Sequence, residues 1–434
     1  MSASPEALGP LAQLGALARA PGGGAAGRRR EAAAERLLRL GLPTSRDDAW
    51  KYTNLRLIAR RPLDPAPRRP LAADALAVLP ERSGFTLVLV DGRIAPGLSG
   101  TAPAHIKLTP LSTLLASPQS PADEARLGAD DGIDSRLRLL NAALLEDGAW
   151  LEVGPSAEPG TTINVVHVTT GGGAYPRLVL DAAPGTSTNL VEYHVGAGGA
   201  DSLTVPVSDI RLGARARLDH HVLALGHGRA IRLEDASVEL GADALYRHRH
   251  VALGAQVGRL DLRVTLAAPG ASAELAGLVL AREQHQLDVR TLVRHAAPHT
   301  RSEQIYRGIA AERGRGSYDG KVIVEAGAAR TDSRQSSRNL LLSPHARIDT
   351  RPQLEINADD VKCSHGATTG TLDEHMLFYL MARGLGAQTA RALLTFAFAE
   401  DVLAKLGVEA LRRFTEQQVL GSLPAAELIR EFVR

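Results

Sequence analysis

Two hydrophobic periodicities divide the chain. In its first third, apolar positions recur at helical spacing: EAAAERLLRLG (31–41) sets Leu37, Leu38 and Leu40 on a strongly helix-forming background and stops at Gly41 and Pro43. SRDDAWKYTNLRLI (45–58) reads as a second short helix, N-capped by Thr44 or Ser45, with Asp47 and Asp48 suited to its first turn. FTLVLVDGRI (85–94) predicts strand, Asp-Gly turn and strand, and SRLRLLNAALLEDG (135–148) returns to helical spacing. Residues 1–150 are therefore expected to form a mainly helical N-terminal region.

Past Trp150 the texture changes to short Val, Leu and Ile runs broken by Gly, Ala, Pro and Asp, which is the signature of strands and turns. A turn of the form G-A-x-A recurs at Gly213, Gly241 and Gly270, and related turns stand at Pro184-Gly185, Pro298-His299 and Gly327-Ala328. The step is about 28 residues, with two strand-like runs per unit, too short for a propeller blade and without the Leu ladder of a leucine-rich repeat. The unit matches one coil of a parallel β-solenoid with two main faces, coils stacking at about 4.8 Å. An ordinary β-sandwich is the alternative that turn signals alone leave open. The expected fold is mainly β, a parallel β-helix over residues 151–366 between helical N- and C-terminal regions.

From residue 367 the pattern is helical again, in a C-terminal region over 367–434. Thr371 and Glu374 have the spacing of a capping box ahead of Leu377, Leu380 and Met381, with Gly384 as the stop. A second helix, AQTARALLTFAFAEDVLAKLG (387–407), places Leu394, Phe398, Val402 and Leu406 on one stripe, and a third follows from Val408.

Composition narrows the function classes. Fifty Lys and Arg against 48 Asp and Glu leave a formal charge of +2 in 434 residues, so no overall field argues for nucleic acid or an anionic membrane as partner. A single cysteine cannot form an internal disulfide and no long apolar run is present, which fits a protein of a reducing compartment, by default the cytoplasm. The start of the chain through PGGGAAGRRR (21–30) reads as a flexible arm before the first long helix.

The chemical candidates are few. RGSYDGKVIV (315–324) lacks the glycine spacing, the Ser or Thr after Lys321 and the following helix of a phosphate loop, so nucleotide binding is not expected of this chain. The acidic pairs Asp47-Asp48, Asp130-Asp131 and Asp359-Asp360 fall in different regions, and aromatic residues are only 3% of the chain, which weakens a sugar-cleaving reading. His220 and His248 stand one repeat apart and would stack on adjacent coils, as a shared metal site or as a solvated or corner ladder. The remaining candidate is Cys363 with His365, in CSHGATTG (363–370). In an extended segment residues i and i+2 project to one side, so thiol and imidazole converge, and Lys362 would favour the thiolate. Nucleophile with base and metal-ligand pair both remain open. A cluster that needs four protein ligands cannot be satisfied by one sulfur, so any cluster here requires a second chain.

HAAPHTRSEQIYRGI (295–309), the segment from YDGKVIVEAG to YLMARGL (318–385) and DDAWKYTNLR (47–56) together resemble the SufB/SufD family of the SUF iron-sulfur assembly system, on its SufD branch. SufB-like sequences lack the S-H-G-A-T-x-G continuation and carry more cysteine. The resemblance implies a right-handed parallel β-helix and a non-enzymatic scaffold. It implies pairing with the paralogue SufB through the β-helix, and docking of the ATPase SufC on the C-terminal helices. It further implies a transient iron-sulfur cluster at the shared interface, with His365 preferred over Cys363 as this chain's ligand. ATP-driven closure of two SufC subunits would then distort the shared edge. For the chain alone the sequence leaves a homodimer open. A β-solenoid enzyme acting on a small molecule or carbohydrate is the competing reading.

Overall fold

The computed structural model describes residues 11, 13–19, 24–44, 46–53, 55–67, 71, 76–116, 136–197, 201–226 and 228–429. Its helices are α1 (Leu14–Arg19), α2 (Gly24–Leu40), α3 (Leu55–Ile58), α4 (Leu111–Ala116) and α5 (Arg136–Leu144), then α6 (Glu374–Ala382), α7 (Ala387–Leu403) and α8 (Glu409–Ser422). The strands begin with β1 (Phe85–Val90), β2 (Arg93–Ile94), β3 (Ile106–Pro110), β4 (Ala149–Val153), β5 (Thr161–Thr169), β6 (Gly172–Ala174) and β7 (Arg177–Ala182). They continue with β8 (Ser187–Gly196), β9 (Ser202–Thr204), β10 (Val207–Leu212), β11 (Arg217–Leu225), β12 (Ile231–Leu240), β13 (Leu245–Leu253) and β14 (Val257–Leu266). The last are β15 (Ser272–Ala281), β16 (Gln286–His295), β17 (Arg301–Ala310), β18 (Arg315–Val324), β19 (Asp332–Leu341), β20 (Arg347–Ile356) and β21 (Lys362–Gly370).

From β4 onward, apart from the short β6 and β9, which pair within the second sheet, successive strands alternate between two facing sheets, each pairing in parallel with the strand one coil away, which makes a β-solenoid of about eight turns. One sheet runs β2-β1-β5-β8-β11-β13-β15-β17-β19-β21 and the other β20-β18-β16-β14-β12-β10-β7-β4-β3. The hairpin expected at Asp91-Gly92 is present: both residues have positive φ, and β1 extends the first sheet by pairing with β5.

The recurring turn of the sequence is the corner between the sheets. A left-handed residue occupies seven successive corners, at Gly185, Arg215, Asp243, Gly270, His299, Arg330 and Asp360, with φ from 54 to 77°. Residues whose side chains prefer negative φ adopt this conformation because the corner must fold one strand back beneath the next. At the opposite corner a Cβ on Gly226 would lie 2.2 Å from the Ala255 nitrogen, so a side chain there would push adjacent coils apart.

Inward-facing Leu, Val, Ile and Ala residues such as Leu180, Ile210, Leu240, Leu262 and Val293 form the core between the sheets. The outer faces are covered by helices. α5, with α1 and α2 behind it, packs on the β10–β12 region, where Leu37, Leu140 and Trp50 meet Ile231, Leu233 and Val257. α7 and α8 fold back along β13, β15 and β17 of the other sheet, with Phe396, Val402 and Leu411 against Leu223, Val251 and Leu278. The tail therefore lies along the flank of the solenoid, fastened by Arg307 to Asp401 at 2.9 Å, rather than extending from its end.

Several local expectations are corrected. Residues 24–30 are the first turns of α2, not an arm: Arg30 is buried and donates to the Ala18 carbonyl, so the basic run has a packing role. Residues 45–58 do not make one helix. A 3-10 turn at Asp48–Trp50 and the short α3 replace it, because Trp50 is buried under Arg259 and Thr53 donates to Asp288, contacts one continuous helix would not reach. The cap of α6 is Asp373, which accepts from the backbone nitrogens of His375 and Met376, in place of the Thr371–Glu374 box. On α7 the buried stripe is Ala392, Thr395, Phe396, Ala399, Val402 and Leu403, while Leu394 and Phe398 sit half-buried at its margin.

The N-terminal helices are pinned by buried charge. Asp235 accepts from both terminal nitrogens of Arg263 and faces Arg138 Nε at 2.6 Å, and Arg138 also reaches Asp209 at 2.7 Å. Replacing Asp235 by Asn leaves two buried guanidinium groups facing each other, and is expected to lower stability by about 3–5 kcal/mol. Asp48→Asn, at an exposed pair with Arg351, is expected to lower it by less than about 1 kcal/mol. Urea unfolding of the two variants checks this, and equal effects would contradict the pinning role.

Candidate functional site

The geometry of the site follows from where the solenoid stops. Inside the stack each strand is hydrogen-bonded on both sides, but β20 pairs only with β18 and β21 only with β19. The final coil thus presents two long strand edges, and almost all of β21 is exposed. Pro352, in β20, is tolerated because the strand is at an edge. Among the described residues, nothing of this chain pairs with either edge.

Cys363 and His365 both lie on β21, with Ser333 and Gln335 of β19 as their partners in register. Both of those partners are buried, so Cys363 and His365 share the core-facing side of their strand, as their spacing required. Their environments differ. Cys363 is half-buried against the end of the core, whereas His365 is exposed because no further coil covers it. Burial pushes the Cys363 thiol above its ordinary range, and Asp332 adds to the effect against an opposing hydrogen bond from the Ser333 backbone. The expected activation of the thiolate by Lys362 is not found; Lys362 is exposed.

Beneath His365 the core is polar in a way the sequence reading did not anticipate. Gln335 donates to Tyr318 Oη at 3.2 Å, Tyr318 donates to Gln304 Oε1 at 3.2 Å, and Thr291 donates to the same oxygen at 2.8 Å. This buried network supports the strand that carries His365 and limits its freedom. The inward-facing column that begins at His365 continues through Gln335, Gln304 and Leu275 to His248 and His220. The signal that would have found it was polar residues recurring at one phase of the repeat.

The two histidines are neither solvated nor at a corner but wholly buried. His220 has both ring nitrogens engaged, with Tyr246 at 2.9 Å and Glu192 at 2.8 Å. The acidic pairs do not converge. Asp47 is bound to Arg136 and Asp48 to Arg351, Asp359 and Asp360 lie in an exposed turn, and Asp130-Asp131 fall outside the described residues. Residues 315–324 are strand throughout, with Lys321 paired to Glu355, as the rejection of a phosphate loop required.

The upstream motif reaches the same end of the molecule. Arg351 of β20 binds Asp48 at 2.6 Å and Asp319 at 2.7 Å, and Gln286 donates to the Tyr52 carbonyl. The segment from Asp47 to Thr53 is thus fastened across β14 to β20. Next to the open coil, α6 follows β21 after Thr371, Leu372 and Asp373. Only its Leu377 is buried; Met376, Phe378, Tyr379 and Met381 are exposed, Phe378 to 73%. No helix among the described residues is long and apolar enough to cross a membrane.

The last coil of the parallel solenoid is thus uncovered among the described residues, with a histidine on its edge and an apolar helix beside it. Residues 165–398 match the family described as SUF system FeS cluster assembly, SufBD core domain, and the chain belongs to that family. Over 398 residues, 90% of each chain, it is 30% identical to the iron-sulfur cluster assembly protein SufD of Escherichia coli. Over 405 residues, 88% of each, it is 30% identical to an iron-sulfur cluster assembly SufBD family protein of Synechocystis. The chloroplastic protein ABCI7 of Arabidopsis thaliana is 32% identical over 221 residues, covering 51% of this chain and 46% of that protein. The chain is a SufD-like iron-sulfur cluster assembly protein.

The half-buried thiol has a measurable signature. Being the chain's only cysteine, Cys363 should react with iodoacetamide at pH 8 more slowly than free cysteine does. Its rate should still be climbing with pH where that of free cysteine has levelled. Reaction faster than free cysteine would instead show an activated thiolate.

Proposed function

We propose that this chain is a non-catalytic scaffold subunit that completes its open coil with the β-helix of a SufB paralogue and receives the ATPase SufC on its C-terminal helices. The observation that carries this reading is the pair of unpaired strand edges at β20 and β21, with His365 exposed on the second. A long parallel edge is a template for another strand, and a partner solenoid ending in the same way would satisfy both. The nascent cluster is the cargo. His365 supplies an imidazole ligand from this side, Cys363 stands beside it, and the remaining ligands come from the partner. The name of the Escherichia coli relative, and the match to an assembly family rather than to a hydrolase, support a scaffold over a β-solenoid enzyme.

The exposed apolar face of α6 supports the docking of the ATPase there, with Leu394 and Phe398 in the adjoining groove. Because only three residues separate α6 from β21, a displacement of α6 by ATP-driven closure would pull directly on the strand that bears His365. The functional division is then 1–150 for the N-terminal region, 151–366 for the β-helix and 367–434 for docking, in a cytoplasmic complex. No nucleotide is bound by this chain.

Co-expression with candidate SufB and SufC, followed by anaerobic reconstitution with iron and sulfide, tests both parts. His365→Ala is expected to leave assembly of the complex intact and to lower the visible absorption of the cluster by about tenfold or more. Full cluster formation in a normally assembled complex would remove His365 as a ligand. Phe378→Asp is expected to release the ATPase without lowering Tm, and undiminished recruitment would contradict docking on α6.

A further inference from the structure

The interior of the first coils holds a group of side chains that the assembly function does not use. His167 on β5 and His194 on β8 are direct cross-strand neighbours, their rings stacked with centroids 4.4 Å apart and planes 3° from parallel. Glu192 precedes His194 by two residues and faces the same way, into the core. One ligand atom from each of the three lies within 4.8 Å of the others, and all three residues are buried.

This arrangement is expensive as a purely structural feature. Glu192 is 1% exposed and no Lys or Arg is paired with it; its partners are His167 Nε2 and His220 Nε2, each at 2.8 Å. The nearby Arg232 guanidinium is already engaged, by Glu234 and by His250 Nε2. Neither ring nitrogen of His194 has a hydrogen-bond partner, and His167 Nδ1 has none. A buried carboxylate whose partners are imidazoles alone, beside imidazole nitrogens without partners, forfeits interactions that folding normally secures.

We propose that His167, Glu192 and His194 form a binding site for a divalent first-row transition-metal ion inside the solenoid, separate from the cluster edge at His365. Two imidazoles and one carboxylate are a donor set suited to such ions, and the ion places a positive charge beside the buried Glu192 carboxylate. His220 orients the ligand: its Nε2 donates to the other Glu192 oxygen while Tyr246 donates to its Nδ1. His194 also lines a cavity of about 50 Å³ with Thr169, Ser202, Thr204 and Arg232, which has room for water as a further ligand. The site lies several coils from β21, so its occupancy does not depend on a partner chain.

The test loads the ion while the chain folds, because a buried site exchanges slowly. The full chain is produced alone in cobalt-supplemented medium and washed with chelator, and Co²⁺ per chain and visible d–d absorption are measured. The wild type and His365→Ala are expected to retain close to one ion per chain with a d–d band. His194→Gln, which breaks no hydrogen bond of the fold, and Glu192→Gln are expected to lose at least about tenfold of it, with His194→Gln keeping the wild-type circular dichroism. Absence of retained cobalt in the wild type, retention undiminished in a folded His194→Gln, or loss in His365→Ala alone would overturn the site.

Discussion

A parallel β-solenoid pairs each coil's backbone only through the coils on either side, and this constraint organises the molecule. At one end β1 with its hairpin and β3 extend the sheets. At the other end β20 and β21 have no further strand beside them among the described residues, so their edges are left unpaired where the dense family motif lies. The tail helices, which in another arrangement would cap that end, instead lie along the outer face of β13 to β17. An open edge in a protein of this length is a liability for aggregation unless a partner covers it.

Cores and caps elsewhere serve to hold that edge still. The amide and phenol network of Gln304, Tyr318 and Gln335 sits beneath His365, and Arg351 ties the last coil to the N-terminal segment at Asp48. A side chain on an edge strand needs such support, since the strand lacks a second neighbour to fix it. The same logic separates the two members of the C-S-H-G stretch. Cys363 is drawn into the end of the core, where burial pushes its thiol above the ordinary range, while His365 reaches past the last covered layer.

Much of this was legible in the sequence, for a physical reason: a solenoid repeats the same corner, so the turns at Gly213, Gly241 and Gly270 betray the coil without any knowledge of pairing. The hairpin at Asp91-Gly92 was readable on similar local grounds, whereas the last strand, expected to stop by 366, runs on to Gly370. Contacts made across the stack were not. The polar column under His365, the burial of His220 and His248, and the meeting of His167, Glu192 and His194 depend on which phase of each repeat faces inward. A single sequence marks that phase only weakly. Helix termini failed differently: Gly24 to Arg30 are helical because Arg30 finds buried acceptors, a tertiary gain that outweighs the low propensity of glycine.

The central claim is that the last coil is completed by a partner solenoid. Backbone amide hydrogen exchange of β20 and β21, compared between the chain alone and its co-expressed complex with the paralogue, tests it most directly. The account predicts that edge amides of both strands, fast in the chain alone, become protected in the complex while β10 to β14 change little. Unchanged exchange at β20 and β21 in a fully assembled complex, with new protection elsewhere, would contradict it.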